Sequence, residues 1–354
     1  MKILKYGLNS RIWFRDFERI FYSKLAPQLK PSYLNCFDVL GKSISFFIFE
    51  HEGIRNLCLF DLDDGSGLQE DSCKIKYDFL NKLLRKNQVK DYVIFKAQLN
   101  KQYPHYEFYP DISKTIPLGY FPENLKALLK YKKKINKTFY RKKIQNKEKI
   151  DILWIGTVNY DIGQGMNWPK KFSLKYWHYG ERIAGFRALQ EIAKERTDLN
   201  IICTDKKVKS KDYFDLISRS KICFDFPGVG EFTKRFIECL VLEKCVMSFK
   251  KSQELHFDLK ENFHYLSIEI DDDIEYEYTK APSNYPNSFS VNNLKITPKP
   301  SLFKKLNDYI DKNIKDLPLI EDIQQNISKI QELLKPDYII SYIQAKTLNY
   351  FFPD

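Results

Sequence analysis

Between Asp151 and Phe249 the chain repeats one pattern, a short apolar run followed by a stretch of helical length. The apolar runs are Asp151 to Ile155, Asn200 to Thr204, Ile222 to Phe226 and Cys245 to Phe249. The intervening stretches, Tyr179 to Arg196, Tyr213 to Arg219 and Thr233 to Leu242, carry apolar residues three and four apart. Strands that alternate with helices predict a parallel sheet joined by right-handed crossovers, buried on both faces. Little else can be built from this order of elements.

The run Ile222-Cys223-Phe224-Asp225-Phe226 breaks at Pro227-Gly228-Val229-Gly230, and the next helix opens at Thr233-Lys234-Arg235. In a parallel α/β domain ligands sit outside the carboxyl ends of the strands, and glycines let a phosphate approach the free N–H groups of a helix start. Arg235 and Glu238 stand three apart and so share one helix face. A guanidinium there can hold a diphosphate while the carboxylate accepts hydrogen bonds from a ribose diol. An ordinary surface ion pair has the same spacing.

The run Tyr213-Phe214-x-x-Ile217-x-x-Ser220-Lys221-Ile222-Cys223-Phe224, the Gly/Pro loop, Arg235-Phe236-x-Glu238-x-Leu240 and Cys245-Val246-Met247 together resemble the donor half of GT-B-fold glycosyltransferases, the exostosin-like group among them. The resemblance covers about 40 residues well. It implies an α/β protein of two Rossmann-like domains facing a cleft, with a C-terminal helical tail, that moves a sugar from a nucleotide-sugar to a hydroxyl acceptor on a glycan, polysaccharide or glycolipid. It further implies that Arg235, Glu238, Lys234 and Thr233, with loop residues Gly228, Gly230, Gly156 and Thr157, hold the donor, and that neither metal nor cofactor is required. Two departures stand out. Glu231 and Glu238 are one residue too close for the Glu-x7-Glu pattern of many retaining members, and Glu243-Lys244 replaces the usual glycine before the following strand.

At 354 residues the chain is long for one core and comfortable for two. The expected division is 1–148, an acceptor-side domain ending in a basic linker; 149–335, the donor domain; and 336–354, a helix returning to the first domain. A net charge of +12 favours anionic partners. Nine Lys and Arg lie between Tyr131 and Ile150, either as a solvated helix and linker or as a patch resting on anionic lipid. A nucleic-acid-binding module is the competing function class, alone or combined with sugar transfer, and an inactive transferase-like scaffold is another. Seven scattered cysteines without C-x-x-C spacing support neither a disulfide framework nor a zinc site, and no run of about 18 apolar residues occurs. A cytoplasmic protein, with peripheral membrane contact as a variant, is the expectation.

In the first half the sequence predicts an aromatic amphipathic helix from Phe14 to Leu25, strands at Ser45 to Phe49, Asn56 to Phe60 and Asp91 to Lys96, and a helix from Tyr77 to Lys86. Asp61-Leu62-Asp63-Asp64-Gly65 misses EF-hand spacing; it reads as a plain Asp/Gly turn at a strand end, the alternative being an isolated Asp-x-Asp that holds a divalent ion with a sugar nucleotide. His105 and Glu107, in the polar aromatic loop after the third strand, are the base candidates toward a sugar hydroxyl. Residues 279–300 read as irregular loop and the tail from Leu302 as three helices.

Overall fold

The computed structural model describes residues 2–8, 32–33, 44–61, 70–97, 112–118, 125–137, 148–158, 178–228, 231–252, 254–278 and 294–352. Its strands are β1 (Lys2–Leu8), β2 (Ser32–Tyr33), β3 (Ile44–His51), β4 (Ile54–Asp61), β5 (Asp91–Ala97), β6 (Thr115–Leu118), β7 (Ile150–Ile155), β8 (Ile201–Thr204), β9 (Ser220–Asp225), β10 (Cys245–Phe249), β11 (Leu266–Ile268), β12 (Ile274–Tyr278) and β13 (Leu294–Pro298). Its α-helices are α1 (Glu70–Asn87), α2 (Leu125–Ile135), α3 (His178–Glu195), α4 (Ser210–Arg219), α5 (Lys234–Val241), α6 (Pro300–Ile314), α7 (Leu317–Lys329) and α8 (Pro336–Phe351). Two compact α/β units result. One comprises Met1–Glu123, Ser252–Asp258 and Glu332–Asp354, the other Asn124–Lys251 and Leu259–Gln331. The division falls ahead of the basic segment, so α2 belongs to the second unit.

The first unit is a six-stranded sheet in the order β2-β1-β3-β4-β5-β6. Strands β4, β5 and β6 run parallel, whereas β3 is antiparallel to both β1 and β4. The β3–β4 hairpin turns on Glu52 and Gly53, both at positive φ (50° and 77°), the conformation that a two-residue hairpin loop matched to strand twist requires. Side chains along β3 and β4 separate by period two. Phe46, Ile48, Leu57 and Leu59 pack with Phe79, Leu80 and Leu83 of α1, while Phe47, Phe49, Cys58 and Phe60 pack with Ile339, Ile340 and Ile343 of α8. With both faces covered, Phe46 to Phe49 of β3 reads as an unbroken apolar run.

His256 lies buried in the same unit, its Nε2–H donating to the Leu333 carbonyl at 2.8 Å and its ring packed against Phe257 and Tyr342. Burial lowers its pKa from 6.5 to about 4, against the raising effect of the Leu333 hydrogen bond. Between those values the unfolded imidazole binds a proton that the folded one refuses, so the unfolded state gains protons and stability falls as pH drops from 6.5 toward 4. The expected loss attributable to this ring is about 3 kcal/mol, with none above pH 7. Urea titrations of the wild type and His256→Gln across that window check it: the variant's curve should be the flatter one, and parallel curves refute the assignment.

The second unit has a five-stranded parallel sheet ordered β11-β10-β9-β7-β8. A separate antiparallel ribbon pairs β12 with β13, from Ile274↔Pro298 to Tyr278↔Leu294. This corrects the expectation of irregular loop through residue 300. Within Lys295 to Pro298 Ile296 alone is buried, too weak an alternation to read between prolines. The opening Lys2–Leu8 segment is likewise a strand. Helix α5 ends on Glu243 at φ 57°, where Lys244 N–H reaches Cys239 O (2.9 Å) and Glu243 N–H reaches Leu240 O (3.0 Å). Glutamate in the left-handed region costs about 1 kcal/mol relative to glycine. A 2.9 Å bridge from Lys132 Nζ on α2 to the Glu243 carboxylate offsets part of that cost, and Gln331 Nε2 donates to Leu240 O at the same helix end.

Candidate functional site

The sheet order of the second unit locates the site. From β7 the chain crosses to β8 on one side and then returns past β7 to β9 on the other. Right-handed crossovers in opposite directions put α3 on one face and α4 and α5 on the other, which leaves a crevice outside the carboxyl ends of β7 and β9. Gly156 and Thr157 follow β7; Phe226, Pro227 and Gly228 follow β9.

Arg235, in the first turn of α5, lies in this crevice. It is only 8% exposed, and its guanidinium carbon stands 5.0 Å from the centre of the Trp154 ring near the end of β7. Its Nη2 lies over Gly156: a side-chain carbon there would collide with that nitrogen and would stand 2.9 Å from Trp154 Cζ2. Gly156 therefore makes room for an arginine, beyond ending a strand. Arg235 Nη1 is 3.7 Å from Asp225 Oδ1, too far for a hydrogen bond. Three buried N–H donors, Arg235 Nε, Arg235 Nη1 and Trp154 Nε1, have no hydrogen-bond partner. Each such group costs about 1–3 kcal/mol, so a cluster of three is a place to look for function.

The helix start is held from beneath. Thr233 Oγ1 accepts from Phe236 N–H at 3.2 Å as the N-cap of α5 and donates its own proton to Asp225 Oδ1. The Asp225 carboxylate is fully buried, with Lys251 Nζ 3.3 Å from Oδ2. Lys251 in turn sits over the rings of Phe232 and Phe236 at 5.5 and 5.3 Å and also donates to the Glu231 carbonyl. One carboxylate thus stands between two cations. The N–H groups of the first turn of α5 face the same end of the sheet and add partial positive charge. An anion is the natural counterpart.

Glu238 is buried one turn on from Arg235 and accepts from Tyr213 Oη of α4 at 2.9 Å. Burial holds the Tyr213 phenol well above its usual pKa, and the Glu238 carboxylate adds to the effect, so the phenol is the donor. Lys234 opens the helix at intermediate exposure, and Thr157 is exposed on the loop after β7. Gly228 is buried, with room for a side-chain carbon denied by Arg182 Nη2 at 2.8 Å. The fold therefore brings Gly156, Thr157, Gly228, Thr233, Lys234, Arg235 and Glu238 to one end of one sheet. Gly230, His105, Glu107, Asp63 and the segment Phe14 to Leu25 lie outside the described residues. Trp154, Asp225, Lys251 and Arg182 join the site without having been singled out from the sequence. The one signal available was Asp225, a carboxylate inside an apolar run just before Pro-Gly.

Among the described residues no group of three or more His, Cys, Asp or Glu side chains is placed to hold a metal ion, and no helix is long and apolar enough to cross a membrane. Of the basic segment, Lys132 is engaged internally with Glu243 and Gln331.

No family model matches the chain, and no curated protein matches it. Among solved structures it is similar to a glycosyltransferase from Rickettsia africae ESF-5, with a TM-score of 0.40 and 10% identity over 80% of this chain and 82% of that one. It is similar to WaaG, a glycosyltransferase involved in lipopolysaccharide biosynthesis, with a TM-score of 0.43 and 11% identity over 98% and 97% of the two chains. A third similar structure is the GtfA/B complex, at 0.29 and 8% over 86% and 70%. Likeness at this level assigns no activity to the chain.

Proposed function

We propose that the protein is a glycosyltransferase whose second unit binds a nucleotide-sugar, the diphosphate lodging in the crevice between the ends of β7 and β9. The observation that carries this reading is the set of three buried, unpartnered N–H donors on Arg235 and Trp154 at the topological switch point, beside a helix N-terminus. Phosphate oxygens would accept from those donors and from the first amides of α5, with Lys234 as a further cation. A ribose hydroxyl would donate to the Glu238 carboxylate, which also accepts from Tyr213 Oη.

In the reaction the bond from the anomeric carbon to the diphosphate oxygen breaks and a bond to the acceptor hydroxyl oxygen forms. The hydroxyl proton passes to a base, for which His105 and Glu107 are the proposed residues. Negative charge gathers on the departing diphosphate, where Arg235 and the helix amides are already oriented to meet it. In this reading Arg235 supplies the neutralising charge, and no metal is required. The acceptor class proposed is a glycan, polysaccharide or glycolipid, reached by a cytoplasmic protein that is free or peripheral at a membrane.

A thermal-shift screen of nucleoside diphosphates and their sugars tests the reading. A ligand present at 100 times its Kd adds about 2.7 kcal/mol to the native state, enough for a rise of several degrees. Absence of a shift with every common base at millimolar concentration would overturn the proposal.

A further inference from the structure

Arg182, in the first turns of α3, reaches across the same crevice. Its Nε donates to the Pro227 carbonyl at 2.7 Å and its Nη1 points to the Thr157 carbonyl at 3.4 Å, while Nη2 lies against Gly228. One planar fork thus spans the loops after β7 and β9. Gly185, three residues on and on the same helix face, lets the ring of Phe226 press against α3, since a side-chain carbon there would meet Phe226 Cδ1 at 2.6 Å. The helix is therefore seated on the end of β9, with Arg182 held over the next two residues. Pro227 has no N–H of its own to offer an anion, and its carbonyl oxygen, if left unpaired, would repel one. Thr157 O presents the same problem from the opposite loop. A guanidinium between these two oxygens satisfies them and replaces a repulsive rim with a positive one.

We infer that Arg182 is a positioning residue for the bound diphosphate: it fixes the spacing of the two loops and turns their carbonyl oxygens away from the anion. The inference rests on the nucleotide-sugar reading of this unit. It goes beyond that reading by assigning the width and polarity of the crevice to a residue outside the Arg235 helix.

The test compares wild type, Arg182→Met and Arg182→Lys, using inorganic pyrophosphate as the probe in titration calorimetry and backbone hydrogen exchange on the ligand-free protein. In the methionine variant, amides at 156–158, 226 and 228 should exchange at least tenfold faster, those of β10 should keep their wild-type rates, and the pyrophosphate Kd should rise about tenfold or more. Lysine, which keeps the charge but loses the fork, should recover the Kd in part and the protection less. Unchanged loop exchange, or pyrophosphate bound by the methionine variant as tightly as by wild type, overturns the inference and leaves the nucleotide-sugar reading standing. Failure of the wild-type protein itself to bind pyrophosphate overturns that reading and the positioning role with it.

Discussion

Arg235→Met is expected to abolish nucleoside diphosphate binding, by about 100-fold or more in Kd, while leaving the melting temperature unchanged or raised. The two effects have one cause. Arg235 is a buried cation with two nitrogens, Nε and Nη1, that find no hydrogen-bond acceptor in the protein, and each costs about 1–3 kcal/mol. Stacking on Trp154 returns about 0.5–2 kcal/mol, and a methionine of similar length keeps part of that contact. Asp225 is not stranded by the change, because Lys251 at 3.3 Å and the Thr233 hydroxyl remain on it. The balance predicts a gain of up to about 2 kcal/mol in stability. Truncating a charged, desolvated contact to a ligand costs about 2–5 kcal/mol of binding. Calorimetric titration with nucleoside diphosphates and a denaturant curve on the same preparations decide the matter. A variant that loses more than about 2 kcal/mol of stability and still binds would show that Arg235 holds the fold together and has no part in ligand capture.

The second unit was legible because its information is local. Buried parallel strands read as continuous apolar runs, so β7, β8, β9 and β10 stand out, and helix periodicity places Arg235 and Glu238 on one face. The floor of the site was not legible. Trp154 looks like one more apolar residue of β7, Lys251 sits just past the end of β10, and the partners of Arg182 are backbone carbonyls that no side-chain pattern encodes. Likewise Glu243 and Lys244, where a glycine would be the simpler helix end, became intelligible once the bridge to Lys132 was seen to support the left-handed residue. In the first unit the two strands at residues 44–61 were found but their orientation was not. A glycine in the two-residue gap His51-Glu52-Gly53-Ile54 was the available hairpin signal, masked because both flanking strands are buried on two faces and do not alternate.

The largest stability effect is expected at Asp61, the last residue of β4. Its sequence context suggested an acidic turn, yet the side chain points inward, with Oδ1 3.8 Å from Lys96 Nζ on the register-paired position of β5. Both side chains are essentially inaccessible to water (1% and 0% exposed). Two charges removed from water repay their desolvation only through each other and their remaining hydrogen bonds. Asp61→Leu should therefore cost about 3–5 kcal/mol, because it removes the Asp61 counter-charge from an ammonium group held in the interior. Lys96→Met alone should cost a similar amount by exposing the carboxylate to the same fate. The double variant Asp61→Leu with Lys96→Met should recover most of the loss, ending within about 1 kcal/mol of wild type or above it. Urea denaturation of the four proteins measures this cycle, and additive losses in the double variant would show that the pair does not act as a unit. Recovery would mean that stability alone does not account for the pair. Its position at the carboxyl ends of two parallel strands, where such sheets place their ligands, would then make Lys96 and Asp61 the first residues to vary in a search for a ligand site of the first unit.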